Sequence, residues 1–170
     1  MINLKNLRSK KVGILGLGKT GLSVVRAVEQ AGALLTCWDD DKEKRVNLEV
    51  EGVNVKDLNN KRLLRELDLL IVSPGIAHLY PKPHAIVRLA YELNVKVDND
   101  IGLFFSSHIH DEYETFSNPP KIIAITGSNG KSTATSLAGH VFSKVFRDVE
   151  IGGNIGKPVL ELSPLKEGSI

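Results

Sequence analysis

Val12-Gly13-Ile14-Leu15-Gly16-Leu17-Gly18-Lys19-Thr20-Gly21 carries a short apolar run straight into a glycine turn. The apolar part reads as a buried strand, and the last six residues fit G-x-G-x-x-G. In that pattern the glycines permit a tight turn and a close backbone approach, and the helix that follows aims its N-terminus at a phosphate. Val24, Val28 and Ala31 then recur at i, i+4 and i+7, the stripe of such a helix, with Gly32 placed to end it. Leu34 to Trp38 is a second strand. Asp39 closes it about 20 residues after the glycines, where a ribose-binding acid sits in a dinucleotide fold.

Working outward, the alternation continues. Leu69-Leu70-Ile71-Val72 reads as a third strand, and Ser73-Pro74-Gly75 turns the chain after it, at the strand end where ligand crevices form. Pro83 is placed to open a helix with Ile86, Val87, Ala90 and Leu93 on its apolar face, and Val95-Lys96-Val97 makes a short strand. The β-α-β order predicts an α/β fold, a Rossmann-like parallel sheet with helices on both faces. Ser106 to Pro120 is polar and keeps no period, which reads as a linker or surface loop. A second unit then opens with the strand Ile122-Ile123-Ala124-Ile125. Ala134, Leu137, Ala138, Val141 and Val145 stripe a long helix, and Val149-Glu150-Ile151 offers another strand. One β-α-β unit does not cover both faces of its own sheet, so the chain reads as the front part of a longer protein.

Between that strand and that helix lies Thr126-Gly127-Ser128-Asn129-Gly130-Lys131-Ser132-Thr133. Successive N–H groups of a glycine turn converge on one anion, and the helix N-terminus adds partial positive charge. Lys131 supplies a full charge for β- and γ-phosphates, and the Ser132 hydroxyl suits Mg²⁺. The longer Walker form G-x-x-x-x-G-K-[ST] needs glycine at position 125, which is Ile125, so this is a shortened loop, T-G-x-x-G-K-S-T. Alone, the first loop suits a nicotinamide enzyme or a non-catalytic NAD-binding module. A dehydrogenase has no use for Lys131 and Ser132, so the pair of loops favours a more general nucleotide-handling role.

Bulk properties remove other classes. The 170 residues hold 42% hydrophobic and 25% charged residues with a net charge of +2, the profile of an ordinary globular chain. The basic residues are scattered, without the concentrated footprint that nucleic acid requires. The apolar runs are too short to cross a bilayer, and Met1 to Lys5 lack a secretory core. Cys37 is the sole cysteine, in an apolar run, which suits a small core residue in a reducing cytoplasm. The five histidines do not converge, and His108-x-His110 reads as surface decoration. Lys42-Glu43-Lys44-Arg45 reads as a solvated helix face, and Trp38 as core or crevice wall.

Taken together, Gly16 to Gly21, Ser73-Pro74-Gly75-Ile76, Asp100-Ile101-Gly102-Leu103-Phe104, Ala124 to Thr133 and Gly152-Gly153-Asn154-Ile155-Gly156 resemble the Mur ligase family. Within it they are most similar to the branch that adds D-glutamate to UDP-N-acetylmuramoyl-L-alanine in peptidoglycan synthesis. Gly102 departs from the pattern, since relatives often carry an acid there. The resemblance implies residues 1–98 as a UDP-substrate-binding domain, 99–120 as a linker, and 121–170 as the first part of a central P-loop ATPase domain. It implies UDP-substrate contacts at Gly18, Lys19, Thr20, Asp39, Ser73, Pro74, Gly75 and Asn154. It further implies ATP binding at Gly127, Ser128, Asn129, Gly130, Lys131, Ser132 and Thr133, with Lys131 catalytic and Ser132 and Thr133 near Mg²⁺. The implied partners are small molecules, namely the UDP-sugar-amino acid, D-glutamate and ATP, for a cytoplasmic enzyme that is a monomer when complete. The family's catalytic glutamate, carboxylated lysine and third domain would lie beyond Ile170, so turnover by this chain alone is not expected. A ligase for a different amino acid is the nearest alternative.

Overall fold

A computed structural model describes residues 1–111, 116–164 and 166–170, the side chains of 108–111 excepted. It resolves two compact units, Asn3–Leu103, and Met1–Ile2 with Phe104–Ile170.

The first unit is built on strands β1 (Lys11–Leu15), β2 (Leu34–Trp38), β3 (Leu69–Val72) and β4 (Val97–Asp98). All pairs are parallel, in the order β2-β1-β3-β4. Because β1 lies between β2 and β3 in the sheet, its apolar run is buried from Val12 to Leu15, as is every residue of β3. Gly13 has a packing reason: a Cβ there would stand 2.5 Å from Leu67 Cδ1. The edge strand β2 leaves Leu34 60% exposed. Its far end is covered by residues 54–56, where Cys37 N–H donates to Asn54 O at 2.9 Å and Lys56 N–H to Cys37 O at 3.2 Å.

Helix α1 (Lys19–Gln30) turns Val24, Val25, Ala27 and Val28 inward. It ends where the sequence indicates, with Gly32 at φ +73° and its N–H on Glu29 O. Helices α2 (Lys42–Val50), α3 (Lys61–Arg65) and α4 (Ala85–Glu92) follow. Leu64 of α3 and Ile86, Val87 and Ala90 of α4 join Leu58, Leu67 and Leu70 in one buried cluster. Each Leu, Ile or Val of this cluster stabilises the fold by about 1.5–3 kcal/mol when fully buried. The fourth strand starts two residues later than expected. Asn94 adopts φ +56° and Val95 N–H returns to Ala90 O at 2.9 Å, so Val95 closes α4 and does not open the strand.

Helix α5 (Asp100–Asp111) corrects the reading of an irregular linker from Ser106. Asn99 Oδ1 accepts the Gly102 N–H at 2.8 Å and starts the helix, Leu103, Phe104 and Ser107 are buried, and Ser107 Oγ satisfies itself on Phe104 O. His108 and His110 lie outside the described side chains.

The second unit departs further from expectation. It contains α6 (Lys131–Phe142) and a 3-10 turn, Val159–Glu161, to which Ile2 N–H donates at Leu160 O. The expected strands at 122–125 and 149–151 do not form among the described residues. A strand exists only as part of a ladder, and here the C-terminal residues make isolated bonds: Lys121 N–H to Ser169 O and Glu150 N–H to Ile170 O. The apolar stripe also fails to bury: Leu137, Val141 and Val145 are all more than half exposed, and Val145 lies beyond the helix. The buried helix residue is instead Gly139, which accommodates Ile151 against its bare Cα.

Candidate functional site

The glycine loop after β1 is held by its neighbours rather than by itself. Gly16 N–H donates to Trp38 O at 2.8 Å, and Leu17 N–H donates to Asp39 Oδ2 at 2.6 Å. Both amides are therefore spent on the end of β2. From the third strand, Ser73 N–H donates to Leu15 O at 2.9 Å and Ser73 Oγ to Gly16 O at 2.7 Å. The Ser-Pro-Gly turn is thus brought onto the glycine loop, as its place at a strand end suggests. Gly16 sits at φ +93°, in the left-handed region that glycine tolerates. A Cβ on Gly21 would collide with the Gly16 carbonyl oxygen. Gly18 caps α1 in an extended conformation, and beside it Lys19 is exposed and Thr20 half-buried on the helix's first turn. Pro74 and Gly75 are exposed after the end of β3, at the same end of the parallel sheet as these residues. The N–H groups of a first helical turn point along the helix axis and suit an anion.

Asp39 stands where the sequence indicates, but its carboxylate is engaged with the protein. Oδ2 takes Leu17 N–H and lies 3.4 Å from Lys44 Nζ, while Oδ1 takes Asp41 N–H at 2.9 Å. Burial acts to raise its pKa. The two backbone donors and the Lys44 ammonium outweigh burial and hold it below the usual carboxylate range. The acidic run is spent likewise: Asp40 Oδ2 meets His84 Nε2 at 2.9 Å, and Asp41 Oδ1 caps α2 by accepting Glu43 N–H at 2.9 Å. The reading of residues 42–45 as a solvated face is corrected for two of them. Lys44 turns back to Asp39. Arg45 Nη1 donates to the carbonyls of Asp39 at 2.6 Å and Asp40 at 2.9 Å, with its guanidinium 4.3 Å from the Trp38 ring. Trp38 is half-buried as a wall of this loop. At the sheet's other side, the Asp98 carboxylate occupies the space over Gly102, and a Cβ there would collide with it.

The second glycine loop belongs to the other compact unit. Gly127 at φ +148° and Gly130 at φ +75° shape the turn, and Gly130 is the left-handed N-cap of α6. Lys131 opens the helix and folds back over the turn, its Nζ donating to Gly127 O at 2.6 Å and Ser128 O at 3.2 Å. Ser128, Asn129, Ser132 and Thr133 are exposed around it. A positive-φ turn, a helix N-terminus and a lysine ammonium over the turn are the parts that fit a polyphosphate. Among the described residues no three His, Cys, Asp or Glu side chains cluster to hold a metal. The adjacent hydroxyls of Ser132 and Thr133 suit Mg²⁺, which keeps most of its ligands as water and phosphate oxygen. Asn154 is exposed in the turn Gly152–Gly156, closed by Gly153 N–H on Lys157 O at 2.9 Å with Gly153 and Gly156 at positive φ.

The contacts made by His84 and Arg45 escaped the sequence reading. Arg45 lies six and five positions after the Asp39 and Asp40 carbonyls it holds, a local separation; His84 lies 44 positions from Asp40 and leaves no signal.

Comparison with known proteins is specific over the first unit. Residues 10–97 match the family model described as Mur ligase MurD-like, N-terminal domain. The chain is 45% identical over 170 residues to UDP-N-acetylmuramoylalanine–D-glutamate ligase of Ruegeria pomeroyi, covering all of this chain and 36% of that protein. It is 44% identical over 170 residues to the ligase of the same name from Cereibacter sphaeroides, covering all of this chain and 37% of that one. The chain therefore spans little more than a third of the length of these relatives. Among solved structures, shikimate dehydrogenase from Aquifex aeolicus matches with a TM-score of 0.46 at 15% identity, over 59% of this chain and 46% of that one, too loosely to carry an argument.

Proposed function

This chain belongs to the Mur ligase family, in its MurD-like branch, and on that premise we propose that it is the nucleotide-handling front of a ligase joining D-glutamate to UDP-N-acetylmuramoyl-L-alanine. Residues 1–98 form the UDP-substrate domain in this reading, 99–120 connect, and 121–170 begin the ATPase domain. The carrying observation is the presence in one chain of the Gly16–Gly21 loop and of a second loop with Lys131 folded over its turn.

In the first unit, Gly18, Lys19 and Thr20 receive the diphosphate on the first turn of α1, with Ser73, Pro74 and Gly75 closing the crevice beside it. Asp39 contributes by fixing the glycine loop. Asn154 is assigned to the UDP substrate as well. In the second, Gly127, Ser128, Asn129 and Gly130 cradle ATP. Lys131 leaves the loop carbonyls for the phosphates and neutralises charge as it moves. Ser132 and Thr133 would hold Mg²⁺. When bound, ATP–Mg²⁺ supplies the phosphoryl group that converts the alanyl carboxylate into an acyl phosphate, which the amine of D-glutamate attacks with loss of phosphate. The protein's task is alignment and charge neutralisation, and no nucleophilic side chain is required.

Two other readings stand behind this one. A ligase for a different amino acid keeps every residue above in the same role. An NAD-binding module has less support, because the ribose acid it needs, Asp39, already serves Leu17 and Asp41. The working place we assign is the cytoplasm, as a monomer when complete, on small molecules. No helix among the described residues is long and apolar enough to cross a membrane.

The test is Lys131→Ala in the complete ligase. ATP-dependent product formation should vanish while affinity for the UDP substrate stays within about twofold, since Lys131 stabilises the transferring phosphoryl group. Turnover near wild type would defeat the assignment.

A further inference from the structure

Three consecutive acids, Asp39-Asp40-Asp41, are out of place beside a diphosphate if they face it, because like charges repel. Each of the three carboxylates is instead engaged by the protein. Asp39 and Asp41 bond to backbone N–H groups of their own neighbourhood. Asp40 differs: its side chain is 68% exposed, yet its carboxylate sits 2.9 Å from Nε2 of His84, the residue just before α4. His84 is well placed to hold it. Its side chain is only 20% exposed, and its Nδ1 accepts Ile86 N–H at 3.2 Å as the N-cap of α4. A ring whose Nδ1 accepts carries its proton on Nε2, so Nε2–H donates to Asp40 Oδ2.

The bonds run in series. The cap of α4 fixes His84, and His84 holds Asp40. On the opposite side Arg45 grips the Asp39 and Asp40 carbonyls from α2. The loop so held presents the Asp39 carboxylate to Leu17 N–H, at 2.6 Å, inside the glycine loop. Resting on the functional reading above, we propose that His84 is a positioning residue: through Asp40 it sets the β2–α2 loop, and so the Gly16–Gly21 loop, in the shape that receives uridine diphosphate. The acid at 40 is needed as a hydrogen-bond acceptor for His84 and not for its charge toward the ligand.

Two readouts on the full chain separate the parts: calorimetric titration with UDP, and amide exchange of Leu17 and Asp41 in the unliganded protein by NMR. Asp40→Ala should speed both amides and weaken UDP about three- to fivefold, the scale of one partly exposed charged contact. Asp40→Asn should restore both, because its carboxamide oxygen still accepts Nε2–H. His84→Asn should match Asp40→Ala, since Asn retains the helix cap but is too short to reach Asp40. Asp40 is on the surface, so its two variants fold. UDP binding by Asp40→Ala equal to or tighter than wild type overturns the proposal, the tighter case being simple relief of repulsion. Asp40→Asn as weak as Asp40→Ala overturns it as well. If wild type does not bind UDP, the functional reading fails. The exchange rates then judge the clasp alone, and unchanged rates in Asp40→Ala dispose of it too.

Discussion

Ser73 Oγ donates a 2.7 Å hydrogen bond to the carbonyl of Gly16, tying the turn after β3 to the turn after β1 across 57 positions of sequence. The same carbonyl oxygen is the atom a Cβ on Gly21 would strike, with Ser73 Oγ 2.9 Å from that Cβ. Gly21 is therefore fixed by the fold. Gly18 has nothing within 4 Å of a built Cβ and a φ of −77° that any residue adopts.

The two glycines, alike in the sequence motif, should respond differently to alanine. Gly21→Ala should lose about 2 kcal/mol or more, the scale of a backbone collision in a buried turn. Gly18→Ala should keep its stability within about 0.5 kcal/mol and lose affinity for a diphosphate, whose approach needs the bare backbone. Urea unfolding and UDP titration of both variants check this. Equal stability loss in the two would contradict the packing described.

Asp39 should make stability depend on pH in a defined direction. Its folded-state pKa lies below the ordinary carboxylate value, so the unfolded chain takes up the proton first as pH falls. Its contribution is present in full above the ordinary value and is lost as pH drops through the folded one. The melting-temperature gap between wild type and Asp39→Asn should thus be widest at neutral pH and close in acid. A gap that does not change between pH 7 and pH 3 would show that the bonds to Leu17 and Asp41 contribute nothing specific to the ionised form.

Cys37 should be inert while the chain is folded. It is fully buried in β2, and burial, assisted by the charge of Glu29, pushes its thiol up to about 12. The thiolate is the reactive form, so alkylation at pH 8 should be negligible in the native protein and complete in denaturant. Rapid native labelling would place Cys37 outside the core.

Much of the first unit was legible in the sequence because its signals are local. The runs Val12–Leu15 and Leu69–Val72 are apolar throughout, as central parallel strands must be, and Gly32 ends α1 as its position indicates. The place of Asp39 was legible too, but not its partners, since Leu17 and Asp41 offer only backbone N–H groups that no letter reveals. The His84–Asp40 and Ser73–Gly16 contacts depend on the order of strands, and spacing does not encode them. In the second unit the letters of Ile122–Ile125 suit a strand, yet a strand requires a neighbour to pair with, which is a property of tertiary structure. Helix α5 was missed for the opposite reason. Its polar letters hide a start set by Asn99 and an anchor formed by Leu103 and Phe104.

The central claim is that the Gly16–Gly21 loop receives the diphosphate of a UDP-sugar. Thermal melting of this chain with UDP-N-acetylmuramoyl-L-alanine, and separately with NAD, tests it most directly. A ligand at about 100 times its Kd stabilises the native state by about 2.7 kcal/mol, a shift of several degrees for a chain of this size. The UDP compound should raise the melting temperature by that order and NAD should leave it unchanged. A shift with NAD and none with the UDP compound would contradict the account.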